Sequence, residues 1–68
     1  SKGISKIAEI IKFAEQFDIL IKKGSWYSFE NENIAQGIVN LQILLENNNE
    51  LREKITTLVL EKLNSDNE

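Results

Sequence analysis

Two adjacent lysines, Lys22 and Lys23, stand just ahead of the chain's single Trp and single Tyr, Trp26 and Tyr27, and Gln36, Gly37 and Asn40 follow shortly after. Each of these types has a chemistry. Lysine ammonium groups meet phosphates as point charges. Aromatic rings stack on bases. Exposed amides at the start of a helix, where the dipole is positive, favour an anion. Each also has a structural reading from the residues alone. The lysines suit a solvated hairpin end beside a turn, and Gln36, Gly37 and Asn40 suit capping and turn geometry. Of the two aromatics, Trp26 is expected to seal the helix-facing side of a small sheet, because so small a sheet needs one large side chain there.

Other chemistry is thin. The chain has no His and no Cys, which removes the usual hydrolytic triads, the commonest general base and thiolate metal sites. It contains neither G-x-x-x-x-G-K-[ST] nor G-x-G-x-x-G. The carboxylate pairs Glu9 with Glu15 and Glu50 with Glu53 fall at ordinary solvated helix positions. A domain of this size is also expected to lack the cleft of ~300 Å³ or more that small-molecule sites use. No catalysis, no metal and no cofactor are expected of this segment.

The elements that would carry the central stretch follow from periodicity. Ser5 is a candidate N-cap, and Ile7, Ile10, Ile11, Ala14 and Phe17 recur at helical spacing, ending near Phe17 or Asp18. Ile19 to Lys23, Trp26 to Phe29 and Asn33 to Ala35 read as three strands. Gly24-Ser25 and Glu30-Asn31 link them as tight turns, with Asn31 suited to positive φ. Trp26 and Ser28 share one face of the second strand, and Tyr27 and Phe29 share the other. Ile38, Leu41, Leu44 and Leu45 then mark a second helix. Asn47-Asn48-Asn49 ends it, and Asn48 can cap the next. Leu51, Ile55, Leu58, Val59 and Leu63 stripe a third helix, before the polar "NSDNE" frays. Leu58 and Leu60 lie two apart, so one of them is expected on the surface. The fold class is α+β, in the order α-β-β-β-α-α, with a three-stranded antiparallel meander packed against helices.

The 68 residues allow one domain, spanning 1–68. Such a chain buries only ~60% of its unfolded surface, so stability is modest. The net charge of -3 is uneven: Ser1 to Tyr27 carries five lysines against three acids, and the remainder carries three basic residues against eight acids. That is no uniformly basic nucleic-acid binder. The acidic half is expected to serve solubility. No apolar run approaches the ~20 residues of a membrane helix, no signal peptide is visible, and a cytoplasmic setting is expected. Met is absent even at position 1, so a piece of a longer protein is expected.

Four stretches carry a family resemblance. "GISKIAEII" resembles G-I-S-x-x-G-E-[IL]-[IV], "KKGSWYSF" resembles K-[SA]-G-[AS]-W-[YF]-S-Y, "NIAQG" resembles K-I-G-Q-G, and "NNNELREKI" resembles D-N-P-E-x-x-x-x-I. These are segments of the C-terminal domain of bacterial RecA recombinases, and the match runs without gaps from Gly3 to about Leu63. The resemblance implies the same α-β-β-β-α-α lobe. It implies a parent that forms filaments on single-stranded DNA, hydrolyses ATP with Mg in a core absent here, exchanges strands in recombination and repair, and promotes the SOS response. The lobe itself would be non-catalytic and monomeric. It would help capture double-stranded DNA, weakly and without sequence preference, and would moderate the filament through contacts with the RecA core and neighbouring protomers.

On that basis the expected DNA contacts are Lys22, Lys23, Gln36, Gly37 and Asn40, with Lys22 at a lysine the family uses for duplex contact and Lys23 the weaker. The chain departs from the pattern at Ile38, where a basic residue is usual, at Gln16 and Asp18, often basic, and at Ala8, Phe29, Ala35, Leu58 and Leu60. A thinner basic surface is expected. The competing reading is a protein-interaction lobe with negligible DNA affinity, using an exposed Leu58 or Leu60.

Overall fold

The computed structural model describes residues 6–66, with side chains through residue 65. The order is α1 (Ile7–Gln16), β1 (Leu20–Lys23), β2 (Trp26–Phe29), β3 (Glu32–Gln36), α2 (Ile38–Asn47) and α3 (Asn49–Asp66). The strands form an antiparallel sheet in the order β1-β2-β3, so the α+β meander expected from the sequence is present. Lys6 occupies the N-cap position of α1 without a side-chain cap. Ser5, the expected cap, lies outside the described residues.

α1 ends in a Schellman motif. The Ile19 N–H donates to the Ala14 carbonyl at 2.8 Å and the Asp18 N–H to the Glu15 carbonyl at 3.1 Å. That geometry needs a left-handed residue after the cap, and Asp18 takes it with φ 62. Aspartate visits this region more readily than most side chains because its short polar group bonds locally.

Both hairpins use two-residue links. Lys23 pairs with Trp26 across Gly24-Ser25, and Phe29 pairs with Glu32 across Glu30-Asn31. Gly24 has φ 61, and Glu30 and Asn31 have φ 55 and 68. Two successive positive values mark a type I′ turn, whose twist matches the strands. β3 is longer than expected because it carries an irregularity: Tyr27 pairs with Ala35, but Ser28 pairs with Asn33, leaving Ile34 as the extra residue of a bulge.

The core lies between the helices and one face of the sheet. Ile10, Ile11 and Ala14 of α1, Leu20, Tyr27, Phe29 and Ala35 of the sheet, Leu41 and Leu45 of α2, and Ile55 and Val59 of α3 form one buried cluster. α1 packs on β1 and α3, and α2 on β3 and α3. Asn48 caps α3 as expected, its Oδ1 accepting from the Leu51 N–H at 3.0 Å. Arg52 Nη1 donates to the Leu45 carbonyl at 3.2 Å, satisfying an orphan acceptor at the end of α2.

Four expectations need correction. Trp26 does not seal the sheet: it is 41% exposed, while Tyr27 is 4% and Phe29 6% exposed. Strand alternation sends Tyr27 and Phe29 to the helices together, and Trp26 must then face away. Ile38 is not part of the buried stripe of α2; it is exposed, with Val39 and Ile43. Neither Leu58 nor Leu60 is exposed. α3 is flanked by both α1 and α2, so its covered arc is wide enough to half-bury both. Finally, α3 continues through Asn64, Ser65 and Asp66, where fraying was expected.

Candidate nucleic-acid interface

Adjacent residues of a strand point to opposite faces, and this separates the two lysines. Lys22 pairs with Tyr27 on the helix-facing side, at the sheet edge, with its Nζ 5.9 Å from the Tyr27 ring centroid. Lys23 pairs with Trp26, which pairs in turn with Gln36. Lys23, Trp26 and Gln36 thus form one row across the open face, at the sheet end nearest the start of α2.

That end is tied together by hydrogen bonds. The Gly37 N–H donates to the Ser25 carbonyl at 2.7 Å. Gln36 Nε2 donates to Ser25 Oγ at 3.3 Å. Asn40 Nδ2 turns back to the Gln36 carbonyl at 2.7 Å. The first hairpin tip is therefore latched to the N-terminus of α2. Gly37 is the N-cap, with φ 86 and ψ 157 and no side-chain cap, so the N–H groups of Ile38, Val39 and Asn40 have no intrahelical acceptor. They form a partly positive helix end beside the Lys23 row.

The structure therefore brings Lys23, Gln36, Gly37 and Asn40 together and leaves Lys22 on the other side of the sheet edge. Three of the group, Gln36, Gly37 and Asn40, are partly committed already. The Gly37 N–H and one side-chain N–H each of Gln36 and Asn40 bond within the protein, so an incoming anion would meet the next amides of α2. Ser25, which holds both Gly37 and Gln36, was not picked out from the sequence. Its turn position was legible, but its contact across the chain was not.

Tyr27 lies under this end. Burial first, then its hydrogen bond to the Glu15 carboxylate, then the charge of Glu15, push its hydroxyl above the usual tyrosine range. The ring is a core anchor, with Glu15 of α1 acting on its polar tip.

At the opposite end, Phe29, Ile34 and Leu51 floor an open groove of about 740 Å³, larger than expected for so small a domain. Its rim carries Glu30, Glu32, Glu50 and Glu53 against Lys54, and Lys54 Nζ is 3.3 Å from Glu30 Oε1. The balance is acidic and repels phosphate. Among the described residues no helix is long and apolar enough to cross a membrane.

A small α+β lobe of one helix, a three-stranded meander and two helices, with Lys23 beside a helix N-terminus at one sheet end, is the class of domain that the fold and site define. The RecA C-terminal domain family matches residues 8–64, and this chain belongs to that family. It is 54% identical over 63 residues to Protein RecA of Mesomycoplasma hyopneumoniae strain 7448, covering 93% of this chain and 19% of the relative. It is 48% identical over 67 residues to Protein RecA of Mycoplasma mobile, covering 98% and 20%. With Protein RecA of Prochlorococcus marinus strain AS9601 it shares 47% over 62 residues, covering 91% and 17%. The chain thus spans about a fifth of the length of the curated relatives it matches.

Proposed function

We propose that this domain captures double-stranded DNA through the phosphate backbone, without sequence preference, as the C-terminal lobe of a recombinase acting in recombination and repair. Membership of the RecA C-terminal domain family supports the setting. The observation that carries the site is the shared end of the fold: Lys23 pairs with Trp26, which pairs with Gln36, and Gly37 opens α2 next to that row. Lys23 supplies a point charge, the α2 amides supply donors, and Lys22 reaches a neighbouring phosphate from the other side of the edge strand. Gln36 and Asn40 order the turn that presents them. The lobe binds; ATP hydrolysis, with Mg, belongs to the parent core, and the lobe moderates the cytoplasmic filament by holding DNA near it.

A contact set of this size neutralises few phosphates, so log K should fall against log[salt] with a slope of about -2 to -3. Fluorescence anisotropy of a labelled short duplex, titrated at several low salt concentrations, measures that slope. A slope near zero, or no binding at the lowest salt, overturns the reading.

The second reading, a protein-interaction lobe, draws on α2 rather than on Leu58 or Leu60. Ile38, Val39 and Ile43 are 43%, 62% and 49% exposed, apolar side chains that a partner could cover. Under that reading the anisotropy stays flat with DNA.

A further inference from the structure

The fold covers one face of the sheet and leaves the other open. The open face carries Ile21 and Lys23 from β1, Trp26 and Ser28 from β2, and Asn33 and Gln36 from β3, as the strand register places them. Trp26 stands in the middle of one cross-strand row, with Lys23 on one side and Gln36 on the other. Directly opposed residues on one face have Cβ atoms only ~4.5–5.5 Å apart, so the three side chains act on one spot. The indole is 41% exposed although the core lies just through the sheet.

The neighbours are ordered and chemically mixed. Gln36 is held by its bond to Ser25 Oγ, which uses one N–H and leaves its carbonyl oxygen and second N–H for a ligand. Beside the row is a pocket of about 270 Å³ lined by Ile21, Lys23, the buried Ser28 and Asn33, with Asp18 and Glu30. Asp18 and Glu30, at the end of the pocket away from Trp26, turn phosphate away from it. Phosphate is therefore favoured at Lys23, and a neutral ring beside it. An exposed aromatic on an open sheet, flanked by a cation and an amide, is the arrangement that stacks an unpaired base. A base within a duplex is already stacked on both sides and offers no face to the indole.

We propose that the open sheet face binds an unpaired DNA base, with Trp26 stacking on it, Lys23 holding its phosphate and Gln36 meeting its edge. This gives the domain a second mode beside backbone capture: it retains a strand end or a locally opened stretch. The inference shares Lys23 with the duplex contact and rests on DNA being the ligand, but the duplex contact does not use Trp26.

Trp26 is the chain's single Trp, so its own fluorescence reports the event. The intact chain is titrated at low salt with short oligo-dT and with a blunt duplex of equal length. Oligo-dT should quench Trp26, and Trp26→Ala, followed by anisotropy of labelled DNA, should weaken oligo-dT binding about 5- to 100-fold and duplex binding by far less. Trp26→Phe should retain much of the single-strand affinity, separating ring stacking from loss of structure. Duplex binding with no Trp26 quenching by oligo-dT, or equal losses for both DNAs in Trp26→Ala, overturns this inference and leaves backbone capture standing. No binding of either DNA overturns both. A concentration-dependent blue shift with doubling of mass, in the absence of DNA, shows a second copy on this face and also overturns it.

Discussion

The Gly37 N–H donates to the Ser25 carbonyl at 2.7 Å, and with the Gln36 bond to Ser25 Oγ it fixes the tip of the first hairpin against the start of α2. Lys23 and the helix amides come from segments separated by two strands. The latch holds them at one end of the molecule.

Gly37 is the residue on which that end depends. Its φ of 86 and ψ of 157 lie in a region almost reserved for glycine, where other residues pay about 1–3 kcal/mol. A Cβ there would meet nothing within 4 Å, so the cost of Gly37→Ala is backbone strain alone. Urea unfolding should show a loss of about 1–3 kcal/mol with an unchanged m-value. Duplex affinity should fall as well, because strain relief moves the α2 amides away from the Lys23 row.

Tyr27 should make stability fall in alkali. Its folded-state value is raised by burial and by Glu15, so the fold holds the neutral phenol more tightly than the unfolded chain does. The stabilisation is complete below the ordinary tyrosine value of about 10 and is lost as pH rises through the folded value. Thermal melts across that window, with tyrosinate absorbance followed in parallel, should show a decline that Tyr27→Phe removes. An identical decline in Tyr27→Phe would assign it to lysine titration instead.

Leu41 and Val39 test the facing of α2. Leu41 is 0% and Val39 62% exposed, two positions apart on one helix. Leu41→Ala should cost about 2–5 kcal/mol, and Val39→Ala should stay within about 0.5 kcal/mol of the parent. Equal losses by chemical denaturation would mean that α2 packs with a different face inward.

Lys23→Ala should reduce the salt slope of duplex binding by about 1 and weaken binding alike for unrelated sequences. Lys22→Ala should do the same from its own side of the edge strand. A loss that varies with sequence would contradict backbone contact.

Much of the fold was legible. The spacing of Ile7, Ile10, Ile11 and Ala14, the Asn48 cap and the two turn dipeptides each reflect local physics, and each element formed where those signals placed it. Facing was harder. Gly24-Ser25 as a two-residue turn sets Lys23 opposite Trp26, and therefore Leu20 opposite Phe29. Leu20, Tyr27 and Phe29 on one side outweigh Trp26 with Lys23 and Ser28 on the other, so the register held the answer. The size of the indole suggested the opposite.

α2 was ambiguous for a different reason. "IVNLQILL" is apolar on almost every face, so periodicity could not separate Leu41 and Leu45 from Ile38, Val39 and Ile43. The separation of Lys22 from Lys23 follows from strand alternation once the strand is known. The Ser25 latch and the Tyr27–Glu15 contact depend on tertiary placement, which no local pattern encodes.

The central claim is that the Lys23 row and the start of α2 form one phosphate-binding surface. It is tested most directly by an NMR titration of the chain with a short duplex at low salt, read at each backbone amide. The account predicts shifts clustered on Lys22, Lys23 and Gln36 through Asn40, shrinking together as salt is added. Shifts absent at the lowest salt, or centred instead on the acidic groove around Glu50, Glu53 and Lys54, would contradict it.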